Sequence, residues 1–118
     1  MPKLLVDHLA LLEFARAVFV RVGVPEADAR LVAEATVEAD LRGVTTHGVM
    51  RLPVYIKRIT EGAVKPITEL LVVAEVPGTR LLDGQNGLGQ VISRRAMAMA
   101  MDMATTQGVA AITVRNSN

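Results

Sequence analysis

Two ionisable side chains stand four residues apart, His47 and Arg51, and Tyr55 follows after four more. They lie in the run Ala39-Asp-Leu-Arg-Gly-Val-Thr-Thr-His-Gly-Val-Met-Arg-Leu-Pro-Val-Tyr55. The 118 residues include only two histidines and one tyrosine, so this run holds most of the chain's scarce acid–base chemistry. Residues at i, i+4 and i+8 of a helix share a face. The spacing therefore predicts an imidazole, a guanidinium and a phenol looking into one space. An imidazole, with an ordinary pKa of about 6.5, suits proton transfer near neutral pH. A guanidinium fork matches a carboxylate through two parallel hydrogen bonds. Four helical residues advance about 6 Å, comparable with the length of a three-carbon acid. His47 and Arg51 could thus hold its two ends. Tyr55 is about 12 Å from His47 along the axis. Its side chain leans back toward the N-terminus, which suits a supporting role.

Each residue also has a plainer reading. A histidine at a helix start caps or packs, an arginine is commonly solvated or ion-paired, and a tyrosine can pack with its hydroxyl at the surface. Thr46 can be a helix cap, a hydroxyl relay to His47, or both.

The elements that must position these groups follow from periodicity and punctuation. From Val6 to Val22 apolar residues recur at helical spacing (Leu9, Leu12, Ala15, Phe19, Val22), with Asp7 as N-cap and Gly23 as stop. A second helix opens at Pro25-Glu26 and continues through Leu31, Ala35, Glu38 and Leu41 to Gly43. Thr45 or Thr46 can cap a third, expected over 47–61 and ending before Gly62. Pro53 would kink that helix at a cost of about 3 kcal/mol, unless the helix proper starts only just before it. In either case His47 is expected beside a helix N-terminus.

Beyond Pro66 the period changes. Residues 70–76 form a β-branched run, Pro77-Gly78 is a turn pair, and 80–83 is a second strand, which together predict a hairpin. A glycine-rich loop over 83–90, a Met/Ala-rich helix over 90–106 with Gly108 as its stop, and a buried strand over 109–114 follow. Strand, helix and strand in that order predict a right-handed parallel crossover. The expected class is α/β, with a helical N-terminal subdomain over 1–66 and the start of an α/β core over 67–118.

Composition narrows the function. The chain is 51% hydrophobic and 21% charged, as a folded domain requires, and its net charge of +1 offers nothing to nucleic acid or a lipid surface. It has no cysteine, hence no disulfide, thiolate metal site or thiol nucleophile. The apolar stretch 9–22 is broken by Glu13, Arg16 and Arg21 and is too short to span a bilayer. It also lacks the layout of a signal peptide, so the expected location is the cytoplasm. No His or carboxylate cluster has metal-ligand spacing, and no metal is expected. Gly84, Gly87 and Gly89 stand in reverse order to the Rossmann fingerprint, so a tight strand-to-helix turn is the better reading. Met97, Met99, Met101 and Met103 alternate at period two, spread around their helix, and read as core and interface filler. His8 is expected to face solvent.

The last strand runs into Arg-Asn-Ser-Asn118 and the sequence stops. In open α/β sheets the loop after a parallel strand is where ligands are held. A parallel strand buried on both faces needs more sheet and helix than this sequence offers. The expectation is a truncated polypeptide, incomplete as a functional unit.

The run Ala39–Tyr55 resembles the signature of the malate/L-lactate dehydrogenase family, the NAD(P)-dependent type distinct from Rossmann lactate dehydrogenases. That family includes ureidoglycolate and sulfolactate dehydrogenases and reductases of cyclic imino acids such as pyrroline- and piperideine-carboxylate. Three further stretches are similar to it: Glu61-Gly-Ala-Val-Lys-Pro66, Leu82-Asp-Gly-Gln-Asn-Gly-Leu-Gly-Gln90, and Gly108–Asn118. The resemblance covers nearly the whole chain, and only the N-terminal part of the family's length. It implies a fragment of the family's non-Rossmann fold and hydride transfer between NAD or NADP and a small 2-keto/2-hydroxy acid or cyclic imino acid.

By the same resemblance, His47 is the acid–base histidine of a Ser-His-Gly motif, with Thr46 at the serine position. Arg51 and Tyr55 line the substrate and cofactor pocket. The family continues with a second histidine and a His-Phe-Gly-type segment that this sequence lacks. Most cofactor-binding determinants are expected beyond Asn118, so the fragment alone is expected to be inactive. A homodimer is implied, as is the remainder of the catalytic polypeptide as a partner. The alternative is a non-catalytic truncated product or a helical interaction module.

Overall fold

The computed structural model describes residues 3–118. The chain divides into two compact units, 1–61 and 62–118.

In the first unit, α1 spans His8–Arg21 and α2 spans Glu26–Leu41. Asp7 caps α1 as its sequence position predicts, its side chain accepting the Ala10 N–H at 2.8 Å. Gly23 adopts φ +97°, a left-handed value that lets the chain turn into α2 directly. The two helices pack through Ala15 and Phe19 on one side and Ala29, Val32, Ala33 and Val37 on the other, all buried. Thr36 sits in this apolar face because its hydroxyl donates to the Val32 carbonyl at 2.7 Å. Arg16 fastens the helices at their surface, reaching Glu13 at 3.0 Å and Glu26 at 2.6 Å. These carboxylates raise its pKa, the Glu13 hydrogen bond most.

The expected third helix over 47–61 is not one helix. Two single 3-10 turns, Thr45–His47 and Val49–Arg51, precede α3, which spans Leu52–Thr60. Pro53 decides the boundary. It lies in the first turn of α3, where its missing N–H would have had no partner anyway. His47 therefore ends a turn of its own, five residues ahead of α3, and is not at that helix's N-terminus. Neither Thr45 nor Thr46 caps α3; Arg51 occupies its N-cap position and makes no side-chain capping bond.

In the second unit, β1 (Leu71–Val76) and β2 (Thr79–Gly87) form the expected hairpin about Pro77-Gly78. The helix α4 (Gly89–Gln107) leads to β3 (Ala111–Ser117), which pairs with β2 in parallel, giving the order β1-β2-β3. Mixed helices and sheet match the α/β expectation. Leu82, Leu88, Val91, Ile92 and Ala96 form the core, where α4 packs on β2 and β3.

Three expectations need correction. The glycine-rich loop is largely strand: β2 extends to Gly87, with Gln85 and Asn86 at positive φ where its pairing with β3 becomes irregular. Only Leu88 then separates strand from helix, the tight turn expected there. The strand β3 is not buried; Ile112 and Val114 are half-buried and its other residues exposed. It is an outer strand with α4 packed against it, so alternate residues stay in solvent. The α4 methionines do spread around the helix: Met99 and Met103 are half-buried and none is among the fully buried core residues. Met97 and Met101 are each 60% exposed, because the buried face of α4 is made by Val91, Ile92 and Ala96 nearer its start. His8 is exposed, as expected.

Candidate active site

The run 39–55 lies wholly within the first unit, and its backbone is tied down stepwise. Val44 N–H donates to the Ala39 carbonyl at 2.8 Å and Gly43 N–H to that of Asp40 at 2.9 Å, closing the end of α2. His47 N–H then donates to Val44 at 3.0 Å, Gly48 N–H to Thr45 at 3.0 Å, and Arg51 N–H to Gly48 at 3.0 Å. Between the two 3-10 turns Gly48 is extended, with φ −85° and ψ −157°. That residue breaks the helical repeat on which a shared face for His47, Arg51 and Tyr55 depended.

The side chains consequently form two pairs in place of one row. In the first, Thr46 Oγ1 and His47 Nδ1 are 3.0 Å apart, a hydrogen bond whose direction depends on the imidazole tautomer. Both residues are exposed. In the second, the Arg51 guanidinium carbon lies 5.9 Å from the centroid of the Tyr55 ring, within cation–π range. Tyr55 in turn meets Phe19 of α1, with centroids 6.1 Å apart and ring planes inclined by 50°. Phe19 is fully buried, so the aromatic contact anchors Tyr55, and through it Arg51, to the helical core. Arg51 itself is exposed and Tyr55 half-buried.

Asp40 joins the site through a contact that residue spacing does not show. Its carboxylate Oδ2 accepts the N–H of Val49 at 2.9 Å, nine residues on. The one local signal was a carboxylate in the last turn of a helix, at the end where the dipole disfavours it.

The glycine-rich stretch does not fit a dinucleotide phosphate cradle. A Cβ on Gly84 would lie 2.6 Å from Ile92 Cδ1, one on Gly87 would lie 2.9 Å from Thr68 Oγ1, and one on Gly89 would lie 2.6 Å from the Asn118 carbonyl oxygen. These glycines admit neighbouring protein atoms, which accounts for their small size without a ligand. Beside them Asp83 ties β2 to the end of β3. It accepts from Gln85 N–H at 2.8 Å, Arg115 Nε at 3.0 Å and Asn116 Nδ2 at 3.1 Å. Its carboxyl is held below the usual range, chiefly by the Gln85 N–H, then by Asn116 and Arg115. Among the described residues no group of three or more His, Asp or Glu could hold a metal ion. No helix among them is long and apolar enough to cross a membrane.

A sequence profile of the family described as malate/L-lactate dehydrogenase matches residues 6–118. The chain is 44% identical over 108 residues to the malate dehydrogenase of Pyrococcus horikoshii, covering 92% of this chain and 30% of that protein. It is 42% identical over 98 residues to the L-sulfolactate dehydrogenase of Methanocaldococcus jannaschii, covering 83% and 28%. The solved structure of the P. horikoshii malate dehydrogenase superposes with a TM-score of 0.94 at 42% identity, over 98% of this chain and 33% of that one. The chain thus spans about 30% of the length of these curated relatives.

Proposed function

This chain belongs to the malate/L-lactate dehydrogenase family, and we propose that it carries the proton-transfer and carboxylate-binding part of a site that interconverts small 2-keto and 2-hydroxy acids. Cyclic imino acids are the neighbouring substrate class, since a ring imine asks for the same proton and the same clamp. Because the chain spans about 30% of its relatives' length, the activity is proposed for the protein in which this segment works with the rest of that length. A homodimer and a cytoplasmic setting belong to the same reading.

The observation that carries it is the pairing of Thr46 with His47 at 3.0 Å. With Nδ1 engaged by the hydroxyl, Nε2 is the nitrogen left to exchange a proton with a substrate. In reduction His47 gives its proton to the oxygen, or the imine nitrogen, as C2 becomes tetrahedral; in oxidation it takes that proton back. Arg51 grips the substrate carboxylate, and the Tyr55 ring stacked near its guanidinium limits the rotamers it samples. NAD or NADP, when bound, would supply the hydride-transfer chemistry, and we assign the residues that would hold it largely to sequence outside this segment.

The test is consumption of NADH or NADPH by the complete protein with a panel of 2-keto acids and cyclic imines. His47→Ala is expected to lower kcat by roughly 10²–10⁴, with Thr46→Ala losing less. A near-normal kcat in His47→Ala removes the acid assignment. Reduced nicotinamide left untouched with every keto acid and imine removes the reaction class.

A further inference from the structure

The end of α2 holds a carboxylate in an unfavourable place. Asp40 is the next-to-last residue of α2, where the helix macrodipole presents partial negative charge. The side chain is partly withdrawn from water, and its Oδ2 is spent on the Val49 N–H at 2.9 Å. Val49 opens the second 3-10 turn, and its N–H is one of the amides for which such a turn has no internal acceptor. Asp40 therefore acts as a cap supplied from another helix.

A second contact involves the residue just before. Gly48 is buried, and a Cβ added there would fall on the carboxyl group of Asp40. The absence of a side chain at 48 is what lets the carboxylate reach the Val49 amide. Carboxylate and glycine are thus matched parts of one joint. It sits where the backbone is extended, between the turn bearing Thr46 and His47 and the turn bearing Arg51.

We propose that Asp40 is a positioning residue of the candidate site. By capping the second turn across Gly48, it fixes the angle and separation between the Thr46–His47 pair and the Arg51–Tyr55 pair. This assignment rests on the roles given to His47 and Arg51 above.

The test uses the full chain, isotope-labelled for NMR, as wild type, Asp40→Ala, Asp40→Asn and Gly48→Ala. In Asp40→Ala the Val49 amide is expected to exchange with solvent about tenfold faster or more, while the Val32 and Ala33 amides of α2 keep their rates. The ring resonances of His47 should move, with the Val32 and Ala33 amide resonances as the unmoved internal reference. Asp40→Asn keeps an acceptor oxygen and should restore most of both signals. Gly48→Ala should reproduce the alanine pattern with Asp40 still in place, because its methyl displaces the carboxylate. Unchanged Val49 exchange in Asp40→Ala overturns the proposal, and so does faster exchange with an unmoved His47 ring. Should Asp40→Ala not fold, the asparagine and Gly48 variants decide on the same two readouts. Full activity in His47→Ala would remove the functional reading alone, since exchange and ring signals report on the joint whether or not turnover occurs.

Discussion

At Arg51 the relevant contact is the 5.9 Å approach of its guanidinium carbon to the Tyr55 ring centroid, with Phe19 behind that ring. An exposed cation–π contact contributes about 0.5–1 kcal/mol, too little to hold a fold but enough to bias a side chain between rotamers. Arg51→Lys keeps the charge and loses the planar fork. It is expected to raise KM for a 2-keto acid by about tenfold or more with a smaller fall in kcat, read from steady-state kinetics of the complete protein. Equal loss in kcat and kcat/KM would instead place Arg51 at the transition state alone. Tyr55→Phe preserves the ring against Phe19 and beneath the guanidinium, so it should retain more of the parent's thermal stability than Tyr55→Ala. Tyr55→Ala removes that ring and should cost about 1–3 kcal/mol, measured by denaturant unfolding. Of these groups, the Thr46–His47 bond was open to sequence reasoning because the partners are adjacent. The tilted contact of Tyr55 with Phe19 was not, since the two lie 36 positions apart and meet only through helix packing.

Among the elements, those set by local chemistry stood where sequence signals put them. The Asp7 cap, the Pro25 start of α2 and the Gly108 end of α4 each depend on a few neighbouring backbone groups. The third helix that periodicity predicts over 47–61 did not form as one helix, because Pro53 belongs to a first turn and Gly48 to a break. The pairing of β2 with β3 makes a prediction at this scale. The Asp83 carboxyl joins them and has its pKa lowered by the Gln85 N–H, Asn116 and Arg115. A lowered folded-state pKa means that the unfolded chain binds the proton more readily, so stability rises with pH through this window. The contribution is complete above the ordinary carboxyl value of about 3.9 and is lost as pH falls through the folded value. The protection factors of the Leu82 and Val114 amides, taken relative to intrinsic exchange at each pH, should therefore fall on acidification below that pH in the wild type. In Asp83→Asn, protection should be weaker throughout and this acid step should vanish; the same step surviving in the variant would assign it to another carboxylate.

For the molecule as a whole, the distribution of apolar surface in the second unit matters most. The outer strand β1 exposes Leu71, Val72, Val73 and Val76, the last at 64%, and β3 is the other outer strand of the sheet. Exposed apolar strands with an unpaired edge are templates for pairing with other chains. The isolated chain is expected to self-associate with rising concentration, and Val72→Lys should reduce this, followed by light scattering. Persistence of association in the lysine variant would point to the exposed methionines Met97 and Met101 of α4 instead.

The amino-acid order alone determined the helix ends, the hairpin, the strand–helix–strand order and the signature run from Ala39 to Tyr55, because caps, turns and motifs are local. Tertiary structure alone decided that His47 and Arg51 sit in separate turns, that β3 keeps an open side, and that Asp40 belongs with Gly48 and Val49. Those outcomes rest on atoms brought together from distant positions: a carboxylate reaching nine residues forward, and a strand with a neighbour on one edge only. A hydrophobic period marks which residues can be buried, and says nothing about which partner will come to bury them.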